Sequence, residues 1–166
     1  MNIKFAKLAF VIKELGIKTS EILSDGDDGL EARVRIQKAV YLLKRLGFDF
    51  GYDFNLYYHG PYSQSLADDY YLLAGLGDEF ISELALLCEK SGYCSNEMGE
   101  YIKYLNKQKT RILEVSATLI DLLEYDKDPN SAIKHLRSLK PWVNDEHIKE
   151  ALKFLSDLGI LKSLGV

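Results

Sequence analysis

The sequence predicts a mainly α protein with one small β element. Three observations carry this. Apolar residues recur at helical spacing along most of the 166 residues. A single stretch, FDFGYDFNLYYHGPYS, alternates aromatic and polar residues as an extended segment does. The content of 47% hydrophobic and 28% charged residues is that of a globular chain. Such a length buries roughly two thirds of the unfolded surface, enough for a core without staples.

From Asn2 to Leu15, the residues Phe5, Leu8, Ala9, Ile12 and Leu15 share one broad face, and Gly16 stops this first helix. Residues 24–29 read SDGDDG, an acidic turn that lacks the alternating oxygen ligands and closing glutamate of a calcium loop. A second helix is expected from about Leu30 to Leu46, ending at Gly47, with Ile36, Ala39, Val40, Leu43 and Leu46 as its buried stripe. Residues 48–62 then read as a hairpin or pair of strands, with aromatics largely buried between the two halves of the chain. In GPYS, the proline fixes φ and the glycine before it takes an unusual dihedral, so the strand ends abruptly and turns into a helix. Ser63 or Ser65 caps that third helix, which carries Leu66, Tyr70, Leu73 and Ala74 and ends near Gly75–Gly77.

The second half, 78–166, is helical throughout in pattern. Asp78–Lys90 is amphipathic, SGYCSNEMG is a loop, and one long helix can run from about Glu100 to Tyr125. Asp126–Pro129 breaks it. Asn130 or Ser131 opens a short helix closed by Pro141, and Asn144 caps a last helix reaching Gly159.

Charge narrows the function. The chain has 21 basic and 25 acidic residues, net −4, and neither half is basic on its own, which disfavours a protein held to nucleic acid by its bulk field. Cys88 and Cys94 are too few for a disulfide scaffold, and Lys4, Lys7 and Lys13 interrupt the apolar N-terminal run, so a cytoplasmic protein with reduced thiols and no membrane association is expected. His59, His135 and His147 are scattered and no second cysteine pair exists, so neither a metal nor another cofactor is expected. His59 beside Tyr57, Tyr58 and Tyr62 lacks a recognisable nucleophile or orienting carboxylate at a telling spacing, and the chain reads as a non-enzyme.

The run RIQKAVYLLKRLGFDFGYDFNLYYHGPYS, Arg35 to Ser63, resembles the signature of the YwgA-like family, in which a helix of the form "lQKlvYLLqklG" precedes a strand, "YGPYS" and another helix. Ile36, Gln37, Lys38, Tyr41, Leu42, Leu43, Leu46 and Gly47 fit the helix; Tyr58, Gly60, Pro61, Tyr62 and Ser63 fit the strand end, with His59 where a large residue is usual. The stretch from Leu113 to Gly159 is also similar to that family. More distantly, the helix and the GP turn are similar to the Panacea antitoxin domain. The resemblance implies a winged-helix-like first half, residues 1–77. Family members often continue with strands that make a wing, whereas LAGLGDEFISELALLCEK reads here as helical.

Two function classes follow: a regulatory DNA-binding or antitoxin-like protein, and a protein-interaction adaptor. For the first, Arg35, Lys38 and Arg45 fall on one face of the second helix, where three cations could follow phosphates; the third helix, with Asp68 and Asp69 and no cation, is a poor groove reader. Lys134, Arg137 and Lys140 form a second cationic side, suited to duplex DNA or an acidic partner. For the adaptor, Tyr57, Tyr70 and Tyr71, exposed together, would mark a surface for a protein partner, a toxin or a second copy of the chain.

Overall fold

In the computed structural model, which describes residues 2–57 and 60–166, Asn2 opens α1 (Ile3–Glu14) by accepting a hydrogen bond from the Phe5 amide. After the single turn α2 (Thr19–Ile22), α3 (Asp27–Arg45) begins three residues before the expected Leu30. The acidic loop supplies its first turn, where Asp27 and Asp28 face the positive end of the helix and the Ser24 hydroxyl donates to Asp28 Oδ1 at 2.8 Å. That hydrogen bond is the main reason the Asp28 carboxyl is held below the usual range.

Strands β1 (Asn55–Tyr57) and β2 (Gly60–Tyr62) form an antiparallel pair in the register Asn55↔Tyr62, Leu56↔Pro61, Tyr57↔Gly60. Tyr58 and His59, and with them the catalytic reading of His59, lie outside the described residues. Residues 48–54 are irregular rather than a strand. Their alternation nevertheless holds, with Phe50 and Tyr52 buried and Asp49, Gly51 and Asp53 exposed. Lys44 Nζ donates to the Tyr52 carbonyl at 2.9 Å and the Tyr52 hydroxyl to Asp69 Oδ2 at 2.6 Å, so side chains replace the absent ladder. Of these aromatics Phe48 reaches the second half, against Tyr101, while Phe54 meets Tyr41 of α3. The expectation that the aromatics of this segment are largely buried holds for Phe50 and Tyr52, whereas β1 is exposed and Tyr57 with it.

Ser63 caps α4 (Gln64–Leu76), accepting from the Leu66 amide, and α5 (Asp78–Lys90) follows where a wing would stand. α5 packs along α1, which explains why α1 is buried on more than one side, from Leu8 through Ile12. Cys88, near the end of α5, is disulfide-bonded to Cys94 with 5.5 Å between the Cα atoms; the chain reverses between them, and the expectation of reduced thiols is corrected.

The long helix expected from Glu100 to Tyr125 is two helices, α6 (Asn96–Asn106) and α7 (Thr110–Tyr125). α8 (Pro129–Leu139), capped by Asp128, and α9 (Asp145–Asp157), capped by Asn144, complete the bundle with the single turn α10 (Ile160–Ser163). α3 and α7 pack on each other at the centre; α8, α9 and β2 lie against α7. One continuous hydrophobic core joins both halves, from Ala6 to Ile160. Among the described residues, no helix is long and apolar enough to cross a membrane.

Candidate functional site

Two short motifs far apart in sequence meet through the backbone. Gln37 of α3 faces Ser63, donating from Nε2 to its carbonyl at 2.9 Å and accepting from its amide at Oε1, also at 2.9 Å. Lys38 beside it donates from Nζ to the Pro61 carbonyl at 2.7 Å. Three backbone groups at the end of β2 are thus bonded by side chains where a third strand would otherwise be needed. Gly60, at φ +100°, completes the fit: a Cβ there would collide with Thr118 Oγ1 of α7 and come within 3.5 Å of Lys38 Nζ.

Beneath this joint lies a buried ionic cluster. Lys140, just past α8, donates from Nζ to Glu114 Oε2 of α7 at 2.8 Å, with side-chain exposures of 3% and 11%. Lys38 is 1% exposed. Burial pushes its ammonium down to about 7, with Glu114 drawing it back up and Lys140 adding a smaller downward push. Thr118 turns its hydroxyl to the Glu114 carbonyl at 2.8 Å, so the polar face of α7 is ordered from within the helix.

Over the cluster opens a cleft of about 530 Å³, between β1 on one side and the α8–α9 corner on the other. Leu56 and Tyr57, and Leu139, Pro141 and Trp142, line its walls; Glu114, Thr118 and Lys140 belong to its lining too. Tyr57 is 58% and Trp142 39% exposed. The Arg111 guanidinium lies over the Trp142 ring, 5.2 Å from its centroid, Lys140 Nζ lies 5.9 Å from the same centroid, and His147 meets the ring edge-on.

The expected cation row on α3 does not form. Arg35 turns inward to the α6–α7 corner and donates to the Asn106 carbonyl and Oδ1, the Gln108 carbonyl and Thr110 Oγ1, all at 3.0–3.1 Å. This clamp holds the break in the long helix. Lys38 is buried under the hairpin, and Arg45 pairs with Glu124 and lies over the Tyr41 ring. Helical periodicity placed all three opposite the Ile36–Leu43 stripe, but α3 is buried nearly all round from Ile36 to Leu43, so its polar side is also interior.

On α8, Lys134 and Arg137 are exposed, Arg137 pairing with Asp145, while Lys140 leaves that face for the buried pair with Glu114. Of the tyrosines, Tyr57 and Tyr71 are exposed and Tyr70 is 2% exposed, packed into the core beside Tyr71, so the three do not make one surface. Glu114, Thr118 and Trp142 were not singled out by sequence reasoning, and Gln37 only as part of the run that carries the resemblance. The signal was present for two of them: Glu114 is the only charge between Arg111 and Asp121, and Trp142 is the only tryptophan.

Among the described residues, no group of three or more His, Cys, Asp or Glu side chains is arranged to hold a metal ion. No family model and no solved structure matches the chain. It is similar to the Bacillus subtilis (strain 168) protein named "Uncharacterized protein YwgA", at 27% identity over 164 aligned residues, covering 85% of this chain and 94% of that protein, which supports the likeness to a YwgA-like family.

Proposed function

We propose that the chain is a non-enzymatic cytoplasmic interaction module that acts by holding a protein partner in the cleft between β1 and Trp142. It is antitoxin-like in that sense, as the resemblance to the Panacea domain suggests. One observation carries the reading: exposed Tyr57 and Trp142 flank a cleft lined by apolar residues and a buried ion pair, whereas the cations of α3 are occupied within the fold. Large amphipathic aromatics around a recess are what interface hot spots use. The test is co-purification from the native source. A stoichiometric protein partner retained by Lys134→Glu/Arg137→Glu and lost with Tyr57→Glu is expected; a partner indifferent to Tyr57→Glu would overturn the reading.

A second reading keeps the DNA-binding class through α8, because Lys134 and Arg137 stay exposed on one helix. The order α3, hairpin, α4 supports a winged-helix-like description of the first half. Under this reading, duplex DNA binding weakens with salt, and Lys134→Ala/Arg137→Ala lowers the slope of log K against log salt by about two. Binding unaffected by that change excludes α8 as the reader.

A further inference from the structure

The two edges of the β1–β2 sheet are unequal. On the β2 side, Lys38 Nζ donates to the Pro61 carbonyl, Gln37 bonds both the amide and the carbonyl of Ser63, and α7 packs against the strand. Pro61 has no N–H, so its pairing with Leu56 is the one in the ladder that exchanges no hydrogen bonds, while Asn55↔Tyr62 and Tyr57↔Gly60 supply them. The Leu56 N–H and C=O therefore point away from β2, and among the described residues neither has a hydrogen-bond partner. Asn55, Leu56 and Tyr57 are all exposed, and the strand carries none of the charges or prolines that blunt a natural edge.

This open edge is one wall of the cleft, and Leu139, Pro141 and Trp142 of the α8–α9 corner form the other. The juxtaposition selects an occupant. Unpaired backbone groups call for a backbone, and the apolar wall facing them calls for the side chains that alternate along an extended chain. A second copy of this chain offers its own β1 only with β2 and α7 packed behind it, whereas the corner closes the far side of the cleft, leaving about 530 Å³ for a single extended segment. We propose that a partner protein adds an uncharged extended segment to β1 as a third strand, one of its residues exchanging two hydrogen bonds with Leu56 and an apolar side chain lying against Trp142. This rests on the partner-holding reading of the cleft and states how the partner is gripped.

The probe is the end-capped peptide Lys-Thr-Val-Phe-Val-Thr-Lys, uncharged at its centre and free of tryptophan, so Trp142, the only tryptophan of the protein, reports its binding by fluorescence. In an added strand the N–H groups of alternate residues face the neighbouring strand. Peptides N-methylated at the phenylalanine alone, or at both valines alone, therefore divide. One is expected to bind about tenfold more weakly than the parent, and the other within about threefold of it. Equal loss in both, no loss in either, or no saturable response to the parent peptide overturns the proposal.

Leu56→Pro removes the edge donor without touching a hydrogen bond of the hairpin, because that N–H is not in the ladder. Leu56→Ala removes the same side chain and keeps the N–H. With both variants folded by circular dichroism, Leu56→Pro is expected to bind the parent peptide about tenfold more weakly than Leu56→Ala, and equal affinity overturns the proposal. The N-methylated peptides, measured on the wild type, decide the matter if the proline variant fails to fold. A homodimer that Leu56→Pro dissociates assigns the edge to a second copy and overturns the proposal as well. A Tyr57-dependent protein partner captured equally by Leu56→Pro and Leu56→Ala sinks the strand addition alone; the expected N-methyl pattern without any such partner sinks the interaction reading alone.

Discussion

Replacing Lys38 by methionine separates the cost of its buried charge from the value of its hydrogen bond. Lys38 is 1% exposed, donates to the Pro61 carbonyl at 2.7 Å, and has its ammonium pushed from the usual 10.5 down to about 7, first by burial. A base whose folded pKa lies below its unfolded one binds fewer protons when folded. Stability therefore rises with pH between about 7 and 10.5, the cost of the buried charge being full below 7 and gone above 10.5. With each unit worth about 1.4 kcal/mol, the wild type should gain about 2 kcal/mol of unfolding free energy from pH 7 to pH 9 that Lys38→Met does not. The methionine leaves the Pro61 carbonyl without its ammonium donor, at a cost of about 1–3 kcal/mol that does not vary with pH over this interval. Urea unfolding of both proteins at half-unit pH steps reads the difference. Parallel stability curves would refute the reasoning, because Lys38 would then be titrating as a solvated side chain.

Arg35→Ala should lower unfolding free energy by about 2–4 kcal/mol through loss of the clamp at the α6–α7 corner, which urea titration of the two proteins checks. Gly60→Ala should cost more than about 1 kcal/mol, since it combines a left-handed φ with a collision at Thr118, and the cost should fall in Gly60→Ala/Thr118→Ala when both are melted under the same conditions. Replacing both Cys88 and Cys94 by alanine should cost about 2 kcal/mol by loop-closure entropy for so short a loop, and reductant should lower the melting temperature of the wild type but not of that variant.

The helices were legible where one face is apolar and a cap is written locally: Asn2, Ser63 and Asn144 each accept from the amide three residues on. Helical pattern misled at the α6–α7 break, because NKQKT carries no local stop and the turn is held by Arg35 from 71 to 75 residues away in sequence. The same distance effect hid the site. Periodicity assigns polar residues to solvent, and α3 and α7 are central helices whose polar residues, Gln37, Lys38, Glu114 and Thr118, bond to other elements or to the backbone inside. Resemblance drew attention to Gln37, Lys38, Pro61 and Ser63; their direct pairing became visible only with the chain folded. Trp142 and Tyr57 lie 85 positions apart, and no local pattern brings them to one cleft.

Amide hydrogen exchange on the protein with and without its co-purified partner tests most directly whether the cleft, rather than a cationic helix, is the contact surface. Slowed exchange at Asn55–Tyr57 and across residues 138–143, with Pro129–Arg137 unchanged, is the predicted footprint. Protection centred on Pro129–Arg137, or on α4 and α5 with Asn55–Tyr57 exchanging as before, would contradict it.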